Sequence, residues 1–265
     1  MKQISSTDNT LYKSLKALSS AKGRREQGLF LAEGPHLAEE ALRSSLPVRY
    51  VVARDTDTER FAGLIAQAEA ASAEVLSLPT RLFDALADTG SPQGMLAVAE
   101  IHWHELSEQA LLQSQLAVVL ERVQDPGNVG TILRTALAVG AGFAVLTDDS
   151  ADPFSPKVVR SSQGAVLHLP LVRCASAGEA VGALRHAGWQ TACGHLKGED
   201  FFARQSHPRT ALVIGNEASG IAEETAAACT ARWKLPMPGR AESLNAAVAA
   251  GVMLYDLWRE QSGKS

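Results

Sequence analysis

Hydrophobic and polar positions in the first hundred residues follow the pattern of a small α/β domain. Apolar residues from Leu11 to Leu18 recur at helical spacing, and the polar stretch 19–28 that follows is typical of a turn. Further helical patterns end at Leu42 and cover 58–71. Apolar or β-branched runs predict strands at 29–32, 48–52, 75–78 and 95–98. This alternation predicts an α/β domain over residues 1–101.

A polar stretch at 102–115 predicts a linker into a second, larger domain over 116–265. That domain opens with Leu116 to Leu120, a continuous apolar run typical of a buried parallel strand. Similar runs predict strands at 143–146, 167–172, 190–193, 211–214 and 233–235, with helices between most of them. One of those helices is expected at 131–139. The pattern predicts a doubly wound or related parallel sheet.

Composition excludes several protein classes. The chain has 265 residues, 46% hydrophobic and 20% charged, which is typical of a globular protein. Its longest apolar run, Ala246 to Leu254, is far short of the roughly 18 residues of a membrane span, so no membrane partner is expected. The cysteines, Cys174, Cys193 and Cys229, form no C-x-x-C pair, which argues against a zinc site and fits a reducing cytoplasm. We therefore expect a cytoplasmic protein without a metal.

Charge is unevenly distributed along the chain. The formal net charge is -4, yet residues 1–25 carry six basic residues against one acidic residue, a balance of +5, which leaves -9 for the rest. A basic N-terminal arm on an acidic body indicates a phosphate contact. A solvated helix face explains the same charges equally well.

Three polar, glycine-bearing loops follow predicted strands, at 121–130, 215–221 and 236–245. In open parallel sheets, ligands bind beyond the carboxyl ends of the strands. Each loop by itself has a structural explanation as a set of helix caps, solvated carboxylates and surface cations. Their recurrence on one chain favours a ligand site. The residues with candidate chemistry are Asn128, Arg134, Glu217, Ser243 and Asn245.

Common nucleotide and hydrolase fingerprints do not fit. Gly140-Ala141-Gly142 precedes a predicted strand, whereas the glycines of a dinucleotide motif join a strand to a helix. The chain contains no G-x-x-x-x-G-K-[ST] and no G-x-S-x-G sequence. The histidines still leave a Ser/His arrangement conceivable.

The three loops resemble the ordered motifs of SpoU-type RNA ribose 2′-O-methyltransferases. The matching sequences are N-x-G-x-x-x-R-x-A from Asn128, I-G-N-E-A-S-G-I from Ile214, and L-P-M-x-G-x-x-x-S-L-N-x-x-V-A from Leu235. Residues 155–165 resemble the family's segment between the first two motifs. The N-terminal domain is similar, more weakly, to a small ribosomal-protein-like substrate-binding domain.

This resemblance implies an α/β fold whose C-terminal parallel sheet contains a deep trefoil knot, an exception to the rule that chains avoid knots. It also implies S-adenosyl-L-methionine as the cofactor and a homodimer with the site near the subunit interface. The cofactor-binding residues would be Gly215, Gly220, Ile221, Leu235, Met237 and Leu244.

By the same resemblance, Arg134 acts on the ribose 2′-hydroxyl, while Asn128, Glu217, Ser243 and Asn245 orient it and the RNA. The resemblance also implies that one chain's Arg134 serves the cofactor of its partner. An arginine holds its proton up to a pKa above about 12. We therefore favour a role in stabilising the developing alkoxide and an adjacent phosphate over a role as a base.

RNA contacts are expected from basic residues, which position nucleic acids through phosphates. The candidates are Lys22, Arg24, Arg25, Lys157, Arg160 and Arg240, although Arg24 and Arg25 could equally be solvated surface charges. The appended N-terminal domain favours ribosomal RNA as the substrate. The alternatives are a transfer RNA 2′-O-methyltransferase, a non-catalytic knotted RNA-binding factor for ribosome assembly, and a hydrolase or dehydrogenase on a similar sheet.

Overall fold

The strands of this chain form two separate sheets, each within its own unit. A computed structural model describes residues 1–263, without the side chain of Glu108; residues 264 and 265, which end the predicted second domain, lie outside this description. Unit 1 comprises Met1–His102 and Asp152–His168, and unit 2 comprises Trp103–Ala151 and the chain from Leu169 onward.

The described helices and strands are as follows. The strands are β1 Lys2–Gln3, β2 Leu29–Glu33, β3 Val48–Arg54, β4 Glu74–Leu78, β5 Met95–Glu100, β6 Leu116–Leu120, β7 Phe143–Thr147, β8 Leu171–Cys174, β9 Gln190–Asp200, β10 Thr210–Ile214 and β11 Ala231–Lys234. The α-helices are α1 Thr10–Ala17, α2 Ala21–Gln27, α3 Pro35–Arg43, α4 Ala62–Ala70, α5 Thr80–Leu86, α6 Glu108–Gln113, α7 Pro126–Ala138, α8 Pro156–Ser161, α9 Ala177–His186, α10 Glu223–Ala228 and α11 Ala246–Gln261. Short 3₁₀ turns lie at Asp55–Asp57, Ala165–Leu167 and Phe201–Ala203.

Unit 1 is built on a five-stranded mixed sheet in the order β1-β4-β3-β5-β2. Strands β1, β4 and β3 are parallel, whereas β5 runs antiparallel to both β3 and β2. Aliphatic and aromatic side chains of α1, α5 and the sheet form one core. The predicted small α/β domain is therefore present, and its sheet is mixed.

The stretch 19–28 is a helix rather than the predicted turn. The Ser20 hydroxyl caps α2 by accepting a hydrogen bond from the Gly23 amide at 3.0 Å, and the helix ends at Gly28, whose φ of +65° suits a residue without a side chain. This helix has no apolar stripe, so the periodicity analysis missed it. A Cβ on Gly23 would lie 2.0 Å from the Ala17 carbonyl oxygen, which requires glycine there.

Arg24 lies inside unit 1, which corrects its assignment as an RNA contact. Its side chain is only 4% exposed, and its guanidinium donates to Asp152 at 2.6 and 2.9 Å and to the carbonyls of Leu18 and Ser19. With these hydrogen bonds the guanidinium ties α2 to the segment that begins at Asp152. A charge used in this way cannot reach an RNA phosphate.

Residues 152–168 pack with unit 1, although the sequence pattern grouped them with the second domain. The rings of Phe154 and Phe30 lie 5.1 Å apart. Arg160 forms an ion pair with Asp88 at 3.0 Å. The stretch 102–115, which we predicted as a linker, carries α6, and all of it after His102 belongs to unit 2. Hydrophobic periodicity shows that a segment is buried but not which core receives it.

Unit 2 contains a six-stranded, wholly parallel sheet in the order β11-β9-β10-β6-β7-β8, which confirms the predicted parallel sheet. Every residue of β6, β7 and β10 is buried, in agreement with their continuous apolar sequences. From β6 the chain proceeds outward through β7 and β8, then crosses to the other side of β10 to form β9. The strand order therefore reverses between β6 and β10.

The predicted strand at 167–172 is placed too early. Residues Ala165–Leu167 form a 3₁₀ turn, and β8 begins only at Leu171, after Pro170. Leu167 and Leu169 are buried, so their apolar character reflects core packing and not strand pairing. In contrast, β9 is eleven residues long and extends well beyond the predicted 190–193.

Within residues 1–263, no helix is both long and apolar enough to cross a bilayer. In the same part of the chain, His, Cys, Asp and Glu side chains do not group into a cluster that could hold a metal. Burial and neighbouring carboxylates raise the pKa of Cys174 to about 11, so this cysteine stays a thiol.

Candidate functional site

The candidate site lies at the carboxyl ends of β6 and β10, where the strand order of unit 2 reverses. These strands pair in parallel with Ile214 opposite Leu120, so their following loops start side by side. The Glu121 amide continues the pairing by donating to the Ile214 carbonyl at 2.8 Å. Reversal points of this kind form ligand crevices in open parallel sheets.

Asn128 belongs to the first turn of α7, because that helix begins at Pro126 and not at the predicted residue 131. The Asp125 carboxylate accepts a hydrogen bond from the backbone N–H of Asn128 at 2.9 Å and caps the helix. Pro126 occupies the first helical position, where its missing N–H has no cost. The Asn128 side chain is therefore free of any capping duty.

Hydrogen bonds join three of the predicted site residues across the three loops. Asn128 Nδ2 donates to Glu217 Oε1 at 2.9 Å, and Asn245 Nδ2 donates to Asn128 Oδ1 at 2.9 Å. Asn128 is 9% exposed. We call this chain of side chains, Glu217–Asn128–Asn245, the polar relay.

The donor and acceptor roles in the polar relay follow from its two ends. Asn245 Oδ1 accepts from the amides of Ala247 and Val248 as the N-cap of α11, so its Nδ2 must be the donor toward Asn128. Asn128 in turn presents Oδ1 to Asn245 and Nδ2 to Glu217. The polar relay thus fixes Asn128 Nδ2 as the hydrogen-bond donor to the Glu217 carboxylate.

The site favours the ionised form of Glu217. Its carboxylate also accepts from the backbone amides of Gln124 at 3.2 Å and Asp125 at 3.1 Å. Burial raises the pKa of Glu217, but the hydrogen bonds from Asn128 and from backbone amides outweigh it and leave the pKa below its ordinary value. Glu217 therefore holds the loop after β6 against the loop after β10.

The two glycines of the loop after β10 serve the loop's own geometry. A Cβ on Gly215 would lie 2.6 Å from the backbone of Gly220 and Ile221, so the chain can close on itself only with glycine at 215. Gly220 has a φ of +69° and forms reciprocal backbone hydrogen bonds with Asn216. The Asn216 side chain accepts from the Ala218 and Ser219 amides inside this turn.

Glu121 is a site residue that the sequence analysis missed. It is 5% exposed, and its carboxylate accepts from the Ala222 amide at 2.8 Å and from the Thr225 hydroxyl at 2.6 Å. Both donors lie within four positions of the end of the 215–221 loop. The sequence did contain a signal for Glu121: it directly follows a buried apolar strand, and a carboxylate in such a place requires hydrogen-bond partners.

The segment 236–244 provides unpaired backbone groups. Within the described chain, none of its residues makes a hydrogen bond to another residue, and Gly239 and Ser243 are exposed. At the two ends of the site, Leu235 and Ile221 are each 9% exposed. A ligand bound here would meet free N–H and C=O groups beside apolar side chains.

Arg134 and Ser243 are not part of the polar relay. Arg134 is exposed on α7 and, among the described residues, has neither a hydrogen bond nor an ion pair. Arg134 follows Asn128 by six positions, which in an α-helix is about 9 Å along the axis and about 240° around it. The two side chains therefore point to different faces of α7.

The other predicted RNA contacts differ in accessibility. Lys157, Arg25 and Arg240 are exposed, and Lys22 is an exposed partner of Glu26. Arg160 is half-exposed and paired with Asp88. Of the six candidates, only Arg24 is withdrawn into the protein.

Sequence-family comparisons agree with the two-part organisation. The SpoU rRNA Methylase family matches residues 115–255, and the MRM3-like substrate binding domain matches residues 9–97. A Bacillus subtilis relative, 23S rRNA (guanosine(2553)-2′-O)-methyltransferase RlmP, is 34% identical over 97% of this chain and 99% of its own length. The 23S rRNA (uridine(2479)-2′-O)-methyltransferase of Streptomyces viridochromogenes is 34% identical over 72% of this chain and 69% of its own length.

Solved structures extend the similarity to three dimensions. The AdoMet-bound rRNA methyltransferase from Sinorhizobium meliloti superimposes with a TM-score of 0.87 at 32% identity, covering 98% of both chains. The SpoU methyltransferase AviRb from Streptomyces viridochromogenes, in complex with AdoMet, gives a TM-score of 0.86 at 29% identity over 97% of this chain and 100% of its own.

Proposed function

Since the chain belongs to the SpoU rRNA methylase family, we propose that it transfers a methyl group from S-adenosyl-L-methionine to a ribose 2′-hydroxyl of ribosomal RNA. Two relatives that match most of its length are named 23S rRNA 2′-O-methyltransferases, on different nucleotides. The family-model match to a substrate-binding domain at 9–97 supports a separate domain that binds the RNA substrate.

The observation that carries this proposal is the polar relay. It joins residues from three separate loops at the point where a doubly wound sheet binds ligands. Asn128, Glu217 and Asn245 bring three polar side chains together at this edge of the sheet, and their arrangement supports a site. A pure RNA-binding factor has no need for this combination.

The residues around the loops after β10 and β11 fit the cofactor. The unpaired backbone of 236–244 offers hydrogen-bonding groups of both kinds, and Ile221, Leu235 and Met237 offer apolar surface. We assign cofactor binding to Gly215, Gly220, Ile221, Leu235, Met237 and Leu244. When bound, S-adenosyl-L-methionine supplies an electrophilic methyl group.

The chain's own side chains position the nucleophile and stabilise its charge. The ionised Glu217 keeps Asn128 in one orientation, and Asn245 does the same from the other side. Ser243 lies two residues before Asn245 and contributes a hydroxyl toward the RNA. Arg134 stabilises the developing alkoxide and an adjacent phosphate, since a guanidinium binds such oxygens without losing its proton.

A homodimer completes the site. Arg134 faces away from the polar relay of its own chain, so we assign it to the relay of a second copy. The exposed face of α11 supports such an interface, because Val248, Val252 and Tyr255 lie one turn apart and are 52%, 40% and 51% exposed. Helices α7 and α11 pack against each other, and α7 carries a further exposed apolar side chain, Leu137, which is 36% exposed.

Three further features belong to this proposal. The trefoil knot stays a prediction that follows from family membership. A cytoplasmic location follows from ribosomal RNA as the substrate. The RNA backbone contacts are assigned to Lys22, Arg25, Lys157, Arg160 and Arg240.

The proposal is tested by methyl transfer from labelled S-adenosyl-L-methionine to total RNA from a host that lacks the gene. Label retained in alkali-resistant dinucleotides after hydrolysis would establish 2′-O-methylation and allow the nucleotide to be mapped. Ribosomal subunits and transfer RNA are tested in parallel. Absence of transfer to every RNA by folded protein would favour the non-catalytic binding factor.

A further inference from the structure

We infer that Arg122, at the carboxyl end of β6, binds a phosphate of the RNA next to the target nucleotide. This inference rests on the proposed function, because it assigns the residue to the RNA of that same site. Three features of Arg122 carry it: its backbone conformation, the burial of part of its guanidinium, and the lack of an internal anion.

The backbone of Arg122 is strained. Its φ is +54°, in the left-handed region that favours glycine, and Ser72 and Gln163 are the other non-glycine residues of the described chain with positive φ. Two hydrogen bonds hold this conformation: the Arg122 amide donates to Thr147 Oγ1 at 3.0 Å, and its carbonyl accepts from Asn216 Nδ2 at 2.9 Å. Strain held in this way concentrates at functional sites.

The Arg122 side chain is partly withdrawn from water. Its Nε is inaccessible and has no hydrogen-bond partner, while the residue as a whole is half-buried. Of its three guanidinium nitrogens, only Nε is inaccessible; the two terminal nitrogens reach solvent. A positive charge in such surroundings is costly unless an anion compensates it.

Two other arginines have an inaccessible, unpaired Nε, Arg54 and Arg204, and both have carboxylate partners. Arg204 also has an inaccessible, unpaired Nε, but its terminal nitrogens bind Asp256 at 2.8 Å and Glu260 at 2.7 Å. Arg54 likewise binds Asp84 at 2.8 Å. In the part of the chain that the structure describes, Arg122 forms no ion pair, so its terminal nitrogens are available to an anion from outside.

The position of Arg122 indicates which anion this is. Its carbonyl is bonded to Asn216, the residue directly before Glu217, so Arg122 adjoins the polar relay. An RNA that places a ribose at the relay brings its flanking phosphates to the same edge of the sheet. Arginine suits a phosphate because its planar fork donates two parallel hydrogen bonds.

The test compares Arg122→Asn with Arg122→Lys in the full-length protein. Asparagine removes the charge and tolerates the left-handed backbone, so the variant should gain roughly 2–4 °C in Tm. Its Kd for deproteinised ribosomal RNA should rise about tenfold, and the slope of log Kd against log salt should fall by about one. Lysine keeps the charge but lacks the planar fork, so Arg122→Lys should keep the wild-type salt slope, bind RNA with an affinity between those of wild type and Arg122→Asn, and gain no stability.

Ser72→Asn is the matched control. Ser72 is an exposed residue of unit 1 with a φ of +62°, so asparagine there also relieves a left-handed backbone, but away from the site. This variant should gain stability and bind RNA normally. The affinity for S-adenosyl-L-methionine, measured by calorimetry, should be unchanged in all three variants.

Wild-type RNA affinity and salt slope in Arg122→Asn would overturn the inference. So would a parallel loss of cofactor affinity, which would show that Arg122 supports the loop and not the RNA. If the wild-type protein binds RNA but transfers no methyl group, the proposed function fails, while the salt dependence of binding still decides the role of Arg122.

Discussion

At the scale of single residues, Asn128 is the central residue of the candidate site. Its side-chain amide donates a hydrogen bond to Glu217 and accepts one from Asn245. Replacing Asn128 with aspartate removes the donor to Glu217 and places a second carboxylate about 3 Å away. We expect Asn128→Asp to lower methyl transfer about 100-fold and to cost about 1–3 kcal/mol of unfolding free energy. Single-turnover assays and urea unfolding measure the two effects.

Asn9→Asp provides the control for this substitution. Asn9 caps α1 by accepting hydrogen bonds from the Leu11 and Tyr12 amides, a duty that aspartate performs equally well. Its stability and activity should stay near wild type. Full activity in Asn128→Asp would contradict a role for the relay in catalysis.

The lowered pKa of Glu217 predicts a pH dependence of stability. A carboxyl group whose pKa is lower in the folded protein stabilises the fold at pH values above its unfolded pKa, and this contribution is lost as the pH falls toward the folded pKa. Glu217→Gln should therefore cost about 0.5–1 kcal/mol at pH 7. The difference from wild type should shrink in urea unfolding at pH 4. A difference that grows on acidification would contradict this account.

At the scale of elements, the buried pair of Glu121 and Thr225 fixes α10 to the end of β6. Because α10 directly follows the 215–221 loop, this contact also sets where that loop begins and ends. Thr225 is 2% exposed, so removal of its hydroxyl leaves a buried carboxylate one donor short.

Thr225→Val removes this hydroxyl with little change in volume. The variant should lose about 1–3 kcal/mol of unfolding free energy. Its Kd for S-adenosyl-L-methionine should rise, since the loop assigned to the cofactor is no longer anchored. Thr225→Ser keeps the hydroxyl and should retain cofactor affinity. Equal cofactor affinity in the valine and serine variants would argue against the anchoring role.

At the scale of the whole molecule, the separation of Arg134 from the polar relay predicts complementation between inactive variants. Arg134→Ala and Asn128→Ala should each be inactive as homodimers. In a mixed dimer, one of the two sites receives both intact residues. Co-refolded or co-expressed variants should therefore recover about a quarter of wild-type activity.

Val252→Glu tests the interface behind this complementation. A carboxylate in the middle of the exposed apolar face of α11 should shift the protein to monomers in sedimentation velocity, with loss of complementation. A matched charge at exposed Arg25, as in Arg25→Glu, should leave the oligomeric state unchanged. Full activity of a monomeric Val252→Glu variant would refute the shared site.

The sequence by itself determined the parallel sheet of unit 2 and the three loops that carry the candidate site. Strands buried on both faces are continuous apolar runs, and such runs at 116–120, 143–146 and 211–214 are strands in the structure. The loops between strands and helices were identifiable because glycine, proline and polar residues interrupt those runs. Motif order and spacing identified the family.

Only the tertiary structure decided how those residues are partnered. The polar relay links positions 117 and 89 residues apart, and no local pattern encodes such contacts. The same holds for Glu121, whose donors lie a hundred residues away, and for Arg24, whose carboxylate partner lies in the 152–168 segment. Periodicity reports burial and local conformation, whereas the choice of a distant partner depends on which surfaces the completed fold brings together.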